Sequence, residues 1–94
     1  MIHAIVVSKV KDFGDWLPVF QGHAAERLEA GCTGANVFRS VSDPNEVHIV
    51  FGWSTAEALN LFMTNPKVQH MMAAAGTIGA PVATLVDEIG NYAS

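Results

Sequence analysis

The chain has 94 residues, half of them hydrophobic and 15% charged, which is too apolar for a disordered polypeptide and too short for two independent cores. Five Lys and Arg against nine Asp and Glu give a formal charge of -4, and no basic run is present to track phosphates, which argues against a nucleic-acid partner. Cys32 stands alone and makes no internal disulfide, no apolar stretch approaches the roughly 20 residues that cross a bilayer, and the chain opens without a basic leader, so the expectation is one cytoplasmic domain over residues 1–94 with no membrane partner.

Ile2 to Val10 is rich in β-branched residues and too short for a typical core helix, which predicts a first strand with apolar side chains on both faces. Asp12 to Ala30 reads as a helix, with Asp12 or Asp15 as its cap and Gly31 at its stop. Pro18 favours a start at Asp15 or a kink after Asp12. Within that span Trp16, Phe20, His23 and Arg27 follow at spacings of four, three and four, so they share one stripe.

Two runs, Ala35 to Val41 and Glu46 to Trp53, flank Ser42-Asp43-Pro44-Asn45, a sequence suited to a tight reversal, and predict a β-hairpin. Ser54-Thr55-Ala56-Glu57 has the spacing of a capping box and opens a second helix. Asn65-Pro66 interrupts that helix, which continues to Ala75 and stops at Gly76. Val82 to Ile89 is the final strand, followed by a short tail.

The order strand, helix, strand, strand, helix, strand is the ferredoxin-like α+β arrangement, a four-stranded antiparallel sheet with both helices on one face. Helices cover one face only, yet both faces carry apolar residues. At about 1.5 to 3 kcal/mol per large apolar side chain, leaving half a dozen in water forfeits on the order of 10 kcal/mol, comparable with a small domain's whole stability. A second copy over the open face is therefore expected, and a two-fold homodimer is its simplest closed form.

The first strand ending in Val10-Lys11-Asp12-Phe13, then Trp16, Phe20, His23, Arg27 and Gly31, the Arg39-Ser40 to Asp43-Pro44-Asn45 hairpin, and Pro66 with Ala75-Gly76 resemble the small dimeric α+β barrel proteins. The resemblance runs from residue 2 to residue 89. That superfamily includes the antibiotic-biosynthesis monooxygenases, muconolactone isomerase-like proteins, small polyketide cyclases and haem enzymes. Membership implies two sheets packed face to face, with a ligand pocket between each sheet and its own helices. The monooxygenases of the superfamily oxidise electron-rich polycyclic phenols without metal or flavin, using pocket Asn and Trp groups assisted by Tyr or Arg. Asn36, Trp16 or Trp53, and Arg27 match those roles by residue type, whereas the sole tyrosine, Tyr92, lies in the tail.

His23, on the stripe with Trp16 and Phe20, is the expected proton carrier, because an imidazole can gain and lose a proton near neutrality. Its plainer role is to fill the helix–sheet interface. Arg27 suits a carboxylate or enolate, and its plainer fate is a pair with Glu26 or Glu29. Asn36 would orient an oxygen atom, or else bond locally at a strand edge. Trp16, Phe20, Phe51, Trp53 and Met72 are expected to wall a pocket for a flat apolar or aromatic molecule.

If Phe51 and Trp53 face the helices, His48 belongs to the subunit interface, while His3 and His70 carry less weight. The histidines show no HxxxH or HExxH spacing, so no metal is expected, and nothing selects haem or any other cofactor. The combined expectation is a cofactor-free monooxygenase, or a related cyclase or isomerase, with His23, Arg27 and Asn36 as catalytic residues. The rival is a homodimeric ligand-binding or stress-related protein without catalysis.

Overall fold

The computed structural model describes residues 2–94, so Met1 of the expected domain lies outside the described residues. Alternation along β1 (Ile2–Val10) decides which side is core: Ala4, Val6, Ser8 and Val10 turn inward, none more than 9% exposed. In β3 (Glu46–Trp53) the inward set is Val47, Ile49, Phe51 and Trp53. The two strands pair antiparallel with Ala4 opposite Phe51 and Val6 opposite Ile49, so both inward sets lie on one face of the sheet. β2 (Cys32–Arg39) and β4 (Thr77–Asp87) complete a sheet of order β2-β3-β1-β4, the expected ferredoxin-like α+β arrangement.

Four helices, α1 (Phe13–Gly22), α2 (Ala24–Ala30), α3 (Ala56–Thr64) and α4 (Pro66–Ala74), supply the cover. Trp16 and Leu59 are buried, and Phe20, Phe62 and Met63 pack against the same core. Aromatic rings run through it from Trp16 to Phe20 at 5.0 Å, Phe20 to Phe51 at 6.2 Å, Phe51 to Trp53 at 6.0 Å and Trp53 to Phe62 at 5.2 Å.

Several boundaries differ from the sequence-based expectation, each for a local reason. The helix expected over residues 12–30 is two helices, because the chain leaves helical geometry at His23, with φ -102° and ψ 18°. Gly22, a weak helix former, precedes the break, and the His23 amide bonds the Phe20 carbonyl instead of continuing the ladder. Asp12 is the cap, its side chain accepting from the Asp15 amide, and Pro18 lies inside α1. The cap of α3 is Thr55 rather than Ser54, with its Oγ1 accepting from the Ala58 amide at 3.0 Å.

Ser54 is occupied elsewhere. Its amide bonds the Gly31 carbonyl at 2.8 Å, and a Cβ on Gly31, which sits at φ +111°, would lie 2.7 Å from the Ser54 hydroxyl. β2 begins three residues before the expected Ala35 because Cys32 pairs with Trp53. β4 begins at Thr77 because that residue pairs with Val10, and the β1–β4 register shifts between Val7 and Lys9 to absorb Gly79 to Pro81.

Among the described residues no helix covers the opposite face of the sheet. Ile5, Phe38, Ile78 and Val82 stand there between 37% and 65% exposed. His48 also lies on this side, opposite Phe38, since Phe51 and Trp53 face the helices. At the rim Lys9 binds Asp43 and Glu46, and Glu46 accepts a 3.0 Å contact from His48. Among the described residues no helix is long and apolar enough to cross a membrane.

Candidate functional site

Between the inward face of the sheet and the helices lies a cavity of about 90 Å³. Its walls are apolar: Trp16, Phe20, Phe51, Phe62, Met71 and Met72 contribute most of the bulk. Polar groups come from four residues, namely Ser8 on β1, Thr77 at the start of β4, and His23 and Arg27 at the break between α1 and α2. The helix break thus does more than interrupt a ladder, because it sets an imidazole and a guanidinium at the edge of an apolar space.

Arg27 is half-buried and held on two sides. Its Nη1 donates to the Phe20 carbonyl at 2.6 Å, satisfying an acceptor at the end of α1, and its guanidinium carbon sits 3.7 Å from the centre of the Phe20 ring. Burial pulls the Arg27 guanidinium below its ordinary value, and its interactions with Cys32 and Glu26 partly oppose that. Such a group remains a cation at neutral pH and retains N–H donors beyond the one given to Phe20.

His23 Nδ1 is enclosed and makes no hydrogen bond, the nearest acid being Glu26, whose Oε2 lies 3.5 Å away in poor alignment. The Trp53 indole N–H is likewise buried without a partner. A buried polar atom left unbonded costs free energy, so each of these marks a place where the enclosed environment differs from an ordinary core. Among the described residues no three of His, Cys, Asp and Glu converge to hold a metal ion.

Of the residues singled out from the sequence, His23, Arg27, Trp16, Phe20, Phe51 and Met72 meet around this one cavity. Asn36 does not. It pairs with Val50, so its side chain belongs to the open face of the sheet, where it borders a shallow depression with His3 and Glu88. Trp53 stands behind Phe51 and Phe62 instead of on the cavity wall. His70 is exposed on α4, whereas Val68, Met71, Met72 and Ala75 of the same segment turn to the cavity. Ser8 and Thr77 were missed. Ser8 had a legible signal, a lone hydroxyl on the inward series Ala4, Val6, Ser8, Val10, while Thr77 depends on a strand start hidden by the Gly79-Ala80-Pro81 run.

A family model for antibiotic biosynthesis monooxygenases matches residues 1–74. The chain belongs to that family. Its fold is shared with a protein assigned to the antibiotic biosynthesis monooxygenases from Bordetella bronchiseptica, at 18% identity and a TM-score of 0.79, covering 94% of this chain and 96% of that one. SnoaB, a cofactor-independent oxygenase from Streptomyces nogalater, is similar at 14% identity and a TM-score of 0.76, over 99% of this chain and 97% of that one. A Caulobacter crescentus protein assigned to the same monooxygenases reaches 22% identity and a TM-score of 0.73, over 95% and 90% of the two chains. These structural likenesses speak for the fold of this family member. A comparison with curated proteins finds no match.

Proposed function

We propose that this family member is a cofactor-independent monooxygenase, or a related acid–base catalyst, acting in the cytoplasm on a small electron-rich aromatic molecule. The observation that carries the reading is that His23 and Arg27 both line a cavity whose walls are otherwise mainly apolar. An acidic hydroxyl on an aromatic body matches that division: the ring lies against Trp16, Phe20 and Phe51, and the hydroxyl meets the imidazole and the guanidinium. His23 takes the phenolic proton, and Arg27 stabilises the anion that forms.

An electron-rich phenolate can itself reduce dioxygen, so the reaction balances without an external electron donor. One oxygen atom becomes a new carbonyl on the ring carbon opposite the hydroxyl and the other leaves as water, converting a phenol plus dioxygen to a para-quinone plus water. Asn36 has no part in this chemistry, since its side chain stands on the other face of the sheet. The protein works as a homodimer joined through that open face, whose exposed Ile5, Phe38, Ile78 and Val82 then leave water.

The second reading, a homodimeric ligand-binding or stress-related protein without catalysis whose pocket is largely filled by side chains, is favoured by the size of the cavity, which falls below the roughly 300 to 1,000 Å³ usual for small-molecule sites. Dioxygen uptake separates the two. Wild-type protein incubated with a panel of phenols should consume dioxygen, and His23→Ala should lose about a hundredfold or more of that rate, the scale of a positioned proton acceptor. Binding without dioxygen consumption would favour the second reading, and an unchanged rate in His23→Ala would remove the imidazole from the chemistry.

A further inference from the structure

The cavity has a neighbour. Met63, Met72, Thr77 and Pro81 border both the inner cavity of about 90 Å³ and an outer groove of about 460 Å³, which continues past Gln69, Gly79 and Ala80 toward solvent. Two parts of that shared wall are held by backbone. Thr77 is paired in the sheet opposite Val10, and Pro81 follows the bend at Gly79, whose φ of +71° only glycine adopts without strain.

The other two parts are unbranched thioether side chains from different helices, Met63 on α3 and Met72 on α4, both only half-buried. Methionine has three freely turning bonds past its backbone and no branch to restrict them, so it yields to a ligand more readily than any other large apolar residue.

We propose that Met63 and Met72 form a movable septum that sets the size of the ligand this protein accepts. With the septum closed the inner cavity is smaller than the roughly 150 Å³ that holds a benzene ring, so one ring enters only as the methionines give way slightly. Fused rings need the septum drawn fully aside, which joins cavity and groove. The preferred ligand is therefore a single aromatic ring with its polar end at His23 and Arg27. This inference rests on the reading of the cavity as a ligand site, and it adds the residues that decide what fits.

The test uses benzene and naphthalene, neutral probes that ask nothing of His23 or Arg27, with phenol and 1-naphthol as their acidic counterparts. Binding is followed by the methionine methyl signals in wild type, Met72→Ala and Met63→Ala, the second variant guarding against a fold defect in the first. Wild type should bind benzene about tenfold or more tightly than naphthalene, and either alanine variant should close that gap by raising naphthalene affinity about tenfold. Equal affinity of wild type for both hydrocarbons would overturn the septum, as would alanine variants that take naphthalene no better, or a failure of all three proteins to bind either hydrocarbon. If the hydrocarbons obey the size rule while the phenols do not bind, the proposed chemistry falls and the septum stands. If phenols bind and are oxidised but the variants accept nothing larger, the septum alone falls.

Discussion

Replacing Arg27 with Ala should destabilise the fold far more than a surface substitution would. Two contacts disappear together: the 2.6 Å charged hydrogen bond to the Phe20 carbonyl and the stack at 3.7 Å on the Phe20 ring. A hydrogen bond to a charged group contributes about 1.5 to 3 kcal/mol, and a cation over an aromatic face about 0.5 to 2 kcal/mol. Because one guanidinium makes both contacts and stays partly in water, the two figures do not simply add, and a loss of about 2 to 3 kcal/mol is expected. That is a large share of the roughly 5 to 15 kcal/mol of a typical domain, and it would lower Tm by on the order of 10 °C or more. Urea titration of wild type and Arg27→Ala measures it, with the midpoint falling and the slope unchanged. Hydrogen exchange should quicken first at the end of α1, where the Phe20 carbonyl keeps only the 3.3 Å bond from the His23 amide. A loss below about 0.5 kcal/mol would refute the claim that this guanidinium latches the helix break.

Phe38 on the open face is 55% exposed, so covering it with a second copy removes on the order of 100 Å² per protomer and contributes about 5 kcal/mol across the pair. Sedimentation equilibrium should show a dimer for wild type at micromolar concentration and a monomer for Phe38→Asp; a monomeric wild type, or a dimer indifferent to the change, would contradict the assembly. The hydrogen bond from Lys9 holds the Asp43 carboxyl below its ordinary value, with the Asn45 amide assisting, while His48 and then Lys9 do the same for Glu46. Depressed carboxyl values stabilise above the usual carboxylate range near about 4 and lose that contribution as pH falls below that range and through the lower values held in the folded state. The Tm difference between wild type and Lys9→Gln should therefore be small but present at pH 7 and shrink progressively in acid below the usual carboxylate range, and a difference independent of pH would argue against the ion cluster.

Most of the architecture was written in local patterns. The β-branched run Ile2 to Val10 and the alternation in Glu46 to Trp53 mark two strands without saying which face turns inward, and Asp43-Pro44-Asn45 marks the turn between the hairpin arms. The Trp16, Phe20, His23, Arg27 stripe anticipated one wall of the cavity even though the helix breaks at its third member, since the break preserves the inward direction of all four residues.

What local pattern could not supply was register. Residue type alone makes Asn36 and Trp53 pocket candidates, but whether a strand residue faces inward depends on its partner across the ladder. Pairing with Val50 sends Asn36 to the open face. Trp53 does face inward, yet Phe51 and Phe62 stand between it and the cavity, a matter of three-dimensional packing that spacing along the chain does not encode. Thr77 was hidden for a similar reason. Gly79 and Pro81 look like the end of structure, whereas the shift between Val7 and Lys9 lets the strand run through them.

Occupation of the sheet–helix cavity is tested most directly by titrating wild-type protein with phenol while following the ring signals of its four histidines. The His23 ring should shift together with the Met63 and Met72 methyls, with His3, His48 and His70 unmoved. Shifts confined to His3 and His48 on the open face, or no shift at millimolar phenol, would contradict a ligand site at the break between α1 and α2.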